Sequence, residues 1–194
     1  MGFAVTVLIP RAAVLLSGGL DSVLCLHMCV EKHGALDVLA VSVDYEQPHV
    51  AELEHAKRWA KKLGVSHRII TVRGAYTESS SGLFRGDVDN AADTVVPCRN
   101  MLLLALAGAS GAGHLVLGCN LDDWHDYVDC RPHVLKLSER LMDARVSLPL
   151  AGMTKAQVVD RARGYGIPIE ETLSCYRGTN CGVCAACVLR NASQ

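Results

Sequence analysis

The chain has 194 residues, half of them hydrophobic, with nine cysteines and a formal net charge of −1. That length fits one domain with at most a small appendage, and the composition supplies a full core. The near-neutral charge excludes an overall pull toward nucleic acid or a membrane surface, and no apolar run is long enough to span a bilayer.

The opening stretch MGFAVTVLIP lacks a basic region and a clean cleavage site, so it reads poorly as a signal peptide. Met1-Gly2 with Thr6 formally matches a myristoylation pattern. No polybasic stretch supplies the second signal that an anchor needs, and a short strand or tail is the better reading. RAAVLL, ending at Leu16, is a buried strand, and DSVLCLHMCVEKHG a helix ending near Gly34. Residues 36–45 form a second strand, and HVAELEHAKRWAKKLG an amphipathic helix closed by Lys61, Lys62 and Gly64. SHRIITVR is the third strand. From Gly74 to Val95 the chain is polar and aperiodic, which predicts a long mobile loop of the kind that often serves as a lid. CRNMLLLALAGASGAG is the next helix and HLVLGCN the fourth strand. DDWHDYVDCRPHVLKLSERLMDA starts as a polar loop and becomes a helix. RVSLPL is a short last strand, and TKAQVVDRARGYG a helix with Thr154 as its N-cap.

Alternating strands and helices predict an α/β fold with a doubly wound parallel sheet. Ligands in such folds bind beyond the carboxyl ends of the strands. Leu16 and Asp44 stand at two of those ends, and both are expected to contact a ligand together with the adjoining turn. The turn is Ser17-Gly18-Gly19-Leu20-Asp21-Ser22. A strand–Gly-Gly–helix turn aims backbone N–H groups and a helix N-terminus at one point, which makes an anion site. Ser17 and Ser22 can donate to phosphate oxygens. Asp21 beside a phosphate calls for a bridging cation, and Mg²⁺ suits carboxylate and phosphate oxygens. The plainer reading is a turn with a helix cap. The loop is neither a GK[ST]-ended phosphate loop nor a G-x-G-x-x-G turn.

Cys175, Cys181, Cys184 and Cys187 have the spacing C-x5-C-x2-C-x2-C. Four thiolates satisfy tetrahedral Zn²⁺ and leave no position for water, so the site is structural. Free thiols, disulfides or an iron–sulfur cluster are the alternatives. Clustered CxxC spacing without a secretion signal points to a metal site in a reducing cytoplasm. This predicts an α/β domain over residues 1–170 that carries the phosphate loop, with a four-cysteine segment at 171–194 packed on it.

The Ser17–Ser22 loop resembles the pyrophosphate loop of N-type ATP pyrophosphatases. Other stretches are more specific: VDYEQPHVAELEHA, VPCRN, GCNLDDWHDYVDCRP, PLAGMTKAQVVDRA and TLSCY with CGVCAAC. Together, in order and over nearly the whole chain, they resemble the 7-cyano-7-deazaguanine (preQ0) synthase family, QueC/ExsB. The resemblance implies an ATP-dependent ligase in 7-deazaguanine biosynthesis that converts 7-carboxy-7-deazaguanine and ammonia to the nitrile through an acyl-adenylate and an amide. It further implies ATP, Mg²⁺ and Zn²⁺ as cofactors, a homodimer, and small-molecule substrates without direct contact to nucleic acid. Within that reaction Ser17, Asp21, Ser22, Arg99 and Arg131 are expected to be catalytic. Arg99 and Arg131 can neutralise phosphate or carboxylate. Asp122, Asp126 and Asp129 can hold Mg²⁺ or accept from the ring, and Asn100 and Asn120 can read the base edge. His49, His55 and His125 each read first as ordinary polar residues.

Four positions depart from the family pattern. Glu46 and Pro48 stand for glycine and arginine, Cys98 for glycine, and Val128 for proline. They suggest a divergent member that stops at the amide, or one that supplies DNA rather than tRNA. A different ligase sharing the loop is the nearest competitor. A zinc-ribbon binding module is the competitor from another class, but it has no need of the Ser-Gly-Gly turn.

Overall fold

The computed structural model describes residues 9–193, so the Met1–Gly2 reading lies outside it. Five strands build one sheet: β1 (Ala12–Leu15), β2 (Val38–Asp44), β3 (Ser66–Thr71), β4 (His114–Val116) and β5 (Arg145–Ser147). Their order is β3-β2-β1-β4-β5, and every pairing is parallel. The order reverses at β1, so the crevice for a ligand opens beyond its carboxyl end.

Alternation along β1 divides the core. Ala12 and Val14 face a layer made by α1 (Leu20–His33), α2 (Ala51–Lys62) and α7 (Lys155–Gly164), with Leu24, Trp59 and Val158 buried there. Ala13 and Leu15 face the opposite layer, where α4 (Arg99–Gly108) and α6 (Pro132–Met142) place Leu104 and Leu135. β1 is buried on both faces, which is why RAAVLL is apolar without alternation.

Residues 74–95 differ from the expected featureless loop. They contain the short helix α3 (Gly82–Arg85), capped by Ser81, and a helical turn at Ala91–Thr94 capped by Asn90. Leu83 and Val88 are buried against Leu173, Cys175, Cys184 and Cys187. The segment's few apolar residues pack on a partner more than 70 residues away, so no local periodicity announces them. Within the polar stretch 122–131 lie a one-turn helix, α5 (Asp123–Asp126), and a further helical turn at Val128–Cys130. α8 (Ala185–Ala192) follows the last two cysteines, and Arg190 ties it back with bonds to the carbonyls of Thr172 (2.9 Å) and Ile169 (2.6 Å). Among the described residues no helix is long and apolar enough to cross a membrane.

Candidate functional site

The Ser17–Ser22 loop joins β1 to α1. Gly18 has φ +86°, and a Cβ there would lie 2.6 Å from the Glu52 carbonyl oxygen and 2.8 Å from the Ala56 nitrogen. Only glycine lets the loop press so closely on α2. Ser22 Oγ donates to the Gly19 carbonyl (2.9 Å) and accepts from the Ser17 N–H (3.2 Å), while the two serine hydroxyls lie 3.2 Å apart. The loop is thereby closed on itself, with both hydroxyls at the α1 N-terminus. Gly118 presses on it from beyond β4, since a Cβ there would meet the Asp21 carbonyl carbon at 3.0 Å.

Asp21 forms an ion pair with Lys155, which is 6% exposed. Asn120 Nδ2 donates to the other Asp21 oxygen at 3.0 Å. The rest of Asn120 organises its neighbours. Its N–H donates to Asp123 Oδ2 (2.9 Å), and its Oδ1 accepts from the Asp122 N–H (2.9 Å). Asp122 Oδ2 in turn accepts from the Lys155 N–H (2.7 Å) at the start of α7, whose capping box is Thr154 with Gln157. Burial, and next the Asp21 charge, push the Asp123 carboxyl up to about 6. Three carboxylates and one lysine therefore meet beside the loop. The sequence pattern alone singles out neither Lys155 nor Asp123. A lysine in the first turn of a helix opposes the helix dipole and was a signal of the same kind as Arg99.

The loop opens into a cleft of about 660 Å³. Leu16, Ser17, Gly19, Asp21, Ser22, Arg99, Asn100, Asp122 and Asp126 line it, and Asp123 and Lys155 join them. Arg99, half-buried at the start of α4, sits over the Tyr127 ring at 5.8 Å. Burial opposes its charge, but Tyr45, Tyr176, Cys130 and Asp129 hold its pKa above the ordinary arginine value, so it is a fixed cation. Among the described residues, Arg99 and Lys155 are the arginine and lysine that line the cleft.

The remaining expected residues lie around the cleft rather than on its wall. Within the loop Gly18 packs against α2 and Leu20 is buried in the core, while Asn120 reaches the site through Asp21. Asp44 Oδ1 accepts from the Glu46 N–H (3.1 Å) and shapes the turn after β2. Asp129 Oδ2 caps α4 by accepting from the Asn100 N–H (3.0 Å), and Asn100 Nδ2 donates back to the Asp129 carbonyl (3.3 Å) and Cys130 Sγ (3.2 Å). Arg131 Nε donates to the Trp124 carbonyl (2.9 Å), which fastens the 124–131 turn.

On the α2 side, Gln47 Nε2 donates to Glu52 Oε1 (3.1 Å), and His49 Nε2 lies 3.5 Å from Glu52 Oε2. Burial pushes Glu52 up to about 8, and burial with the Arg99 charge pushes His49 down to about 4. His49 Nδ1 and Ser174 Oγ are buried without a hydrogen-bond partner, and both residues line the cleft.

The four cysteine sulfurs of residues 175, 181, 184 and 187 all lie within 4.8 Å of one another. The Cys181 N–H donates to Cys175 Sγ and the Cys184 N–H to Cys181 Sγ, both at 3.4 Å. Burial works against ionisation of Cys175, but the N–H groups of Cys181, Thr179 and Arg177 bring it down to about 6. Such a shell fits a single tetrahedral metal, since thiolates about 2.3 Å from zinc stand about 3.8 Å apart. The knot also reaches the loop: the Leu173 N–H donates to the Gly18 carbonyl (3.0 Å), two residues before Cys175.

The family model "Queuosine biosynthesis protein QueC" matches residues 11–193. A 7-cyano-7-deazaguanine synthase of Anaeromyxobacter sp. (strain Fw109-5) is 40% identical over 93% of this chain and 89% of its own. One of Thiobacillus denitrificans is 38% identical over 93% and 92%. Among solved structures, an NMN synthetase from Francisella tularensis superposes with a TM-score of 0.55 at 20% identity, covering 87% of this chain and 68% of that one. The U34-tRNA thiolase NcsA from Methanococcus maripaludis, solved with its [4Fe-4S] cluster, gives 0.53 at 16% identity over 99% and 74%. At those identities the structural likeness is one of fold. With a hydroxyl-lined glycine loop, a carboxylate cluster beside it and four gathered thiols all matched by one family model along the described chain, this protein belongs to the QueC family.

Proposed function

We propose that the protein is an ATP-dependent ligase that makes 7-cyano-7-deazaguanine from 7-carboxy-7-deazaguanine and ammonia. The observation that carries this reading is one cleft holding both an anion loop and a separate fixed cation, Arg99. The loop N–H groups, Ser17 and Ser22 take the β- and γ-phosphates of ATP. Lys155 leaves Asp21 to neutralise them. Asp21, Asp122 and Asp123 offer an oxygen-only donor set that suits Mg²⁺, which would neutralise phosphate charge there. Arg99 holds the substrate carboxylate against the α-phosphate, where two anions otherwise repel each other strongly. Carboxylate attack then expels pyrophosphate and leaves an acyl-adenylate. Ammonia converts it to the amide, and a second ATP activates the amide oxygen for loss as AMP. Asn100 and Asp126, on the cleft wall, read the deazaguanine ring, with Asp129 bonded behind Asn100. Arg131 acts by holding the 124–131 turn.

Zn²⁺ in the four-cysteine shell is structural in this proposal. The sulfurs stand close enough for one metal, whereas a four-iron cubane would spread its thiolates over four different irons. Residues 1–170 act as the ATP domain and 171–194 as the metal segment packed on it, with the assembly a cytoplasmic homodimer acting on small molecules. The test is ATP–pyrophosphate exchange that depends on 7-carboxy-7-deazaguanine, followed by the mass of the product formed with ammonium. Exchange without the deazaguanine, or none with it, overturns the reading.

A further inference from the structure

The proposed mechanism leaves unused a pair of titratable groups on the cleft wall, Glu52 and His49 at the start of α2. Both line the cleft, and the main chain of Glu52 lies directly against Gly18 of the phosphate loop. Their surroundings are unusual for a structural pair. Gln47, the neutral group beside them, is fully committed: its Oε1 accepts from the Tyr45 N–H (2.8 Å), and its Nε2 donates to the Val43 carbonyl (3.2 Å) and to Glu52. Gln47 therefore has no spare donor to offer. His49 is 6% exposed, yet its Nδ1 has no partner. A buried ring nitrogen without a partner costs stability unless a ligand supplies one.

With Glu52 ionised, the Nε2–H of His49 donates to it and the Nδ1 lone pair is left over. The wall then presents two acceptors, a carboxylate oxygen and an imidazole nitrogen, beside the rings of Tyr45 and Tyr176; His49 and Tyr176 lie 6.0 Å apart by ring centroids. Two acceptors side by side suit a small group rich in N–H. Arg99 faces this wall from α4, so an anion would go to the guanidinium and not to the acceptors.

We infer that Glu52 and His49 form the ammonium subsite of the ligase, with Glu52 the base that frees ammonia for attack. The inference rests on the ligase reading above. Ammonium is the prevailing form at neutral pH and has no lone pair. Glu52 carboxylate takes one proton from it, giving ammonia and a neutral carboxyl. The ammonia lone pair forms the new C–N bond at the acyl carbon, and the C–O bond to AMP breaks with its electron pair leaving on the AMP phosphate. The surplus proton on the new amide nitrogen passes to His49 Nδ1, the free acceptor. Both protons return to solvent through the open cleft. A carboxyl that burial has moved toward neutrality suits this duty, because a base works best with a pKa near the working pH.

Two half-reactions separate this duty from the others. Carboxylate-dependent pyrophosphate exchange needs no ammonia. Hydroxylamine, which arrives unprotonated at neutral pH, needs no base to free its lone pair. The variant Glu52→Gln is expected to keep exchange and hydroxamate formation within about threefold of wild type. Its ammonium-dependent turnover is expected to fall by about 100-fold, in the range general-base catalysis supplies. Glu52→Asp, with a carboxyl set back by one methylene, should fall in between and guards against a fold defect in the amide variant. Equal loss in all three assays, in both variants, would make Glu52 a structural residue. A raised KM for the deazaguanine in exchange would assign it to the ring's N–H edge, and unchanged ammonium turnover would remove it from the reaction; each overturns the inference. Absence of exchange in the wild-type protein would instead fail the ligase reading itself.

Discussion

Lys155→Met tests the charge arrangement beside the phosphate loop. Methionine keeps the buried stem and removes only the ammonium. Asp21 then loses its ion-pair partner in a site where its side chain is 18% exposed. Removing one member of a buried pair costs about 3–5 kcal/mol. Asp21 keeps its bond from Asn120 and some contact with water, so the lower end, about 3 kcal/mol, applies. At about 2–4 °C per kcal/mol for a chain of this size, Tm should fall by roughly 6–12 °C. Activity should fall separately. A fixed donor to developing charge contributes about 2.7–4 kcal/mol, so carboxylate-dependent pyrophosphate exchange should slow by about 10²–10³-fold at saturating ATP. The double variant Asp21→Asn with Lys155→Met removes both charges and should regain most of the Tm without regaining exchange. Thermal unfolding and exchange on the three proteins decide the matter. A Tm drop under about 2 °C with exchange within about threefold of wild type would refute the reasoning on both counts.

Four further outcomes are expected. Arg99→Lys should slow single-turnover AMP formation by about 100-fold while Arg131→Lys leaves it near wild type, because a lysine cannot bridge two oxyanions as a guanidinium does; the reverse ranking would move the bridging role to Arg131. Elemental analysis should find one zinc per chain, and Cys184→Ser should lose it with a drop in stability and solubility; an iron–sulfur absorption band would overturn the assignment. Cys98→Gly should raise Tm by roughly 1–4 °C, for about 0.5–1 kcal/mol, since Cys98 is exposed at φ +55° and glycine removes that strain at some entropic cost. Glu46→Gly, at φ +66°, should bring no such gain, because Glu46 also accepts from the Gly74 N–H (2.9 Å) and pairs with Arg73.

The sheet was legible because each of its strands is an apolar run and each neighbouring helix carries its own period. The phosphate loop was legible because serine and glycine must follow one another directly to make it. Long-range contacts were less accessible. Lys155 meets Asp21 across 134 positions, and nothing around either residue announces the pair. Leu83 and Val88 lend residues 74–95 no period because most of their packing partners lie beyond residue 170. Asp129 and Arg131 were readable as charges in the loop after the fourth strand, but the bonds by which they cap α4 and hold the Trp124 carbonyl were not. Glu46 and Cys98, both departures from glycine, occupy left-handed backbone, which makes the family's preference at those positions a matter of conformation and not of contact.

The hydrogen bond from Leu173 to Gly18 sets an order of events for a newly made chain. Residues 16–22 emerge early, but their outer support comes from the segment beside Cys175, made some 150 residues later. A metal held by the four thiols, as proposed, would brace the loop from outside, and a chain lacking it would keep its sheet while the loop lost one of its supports.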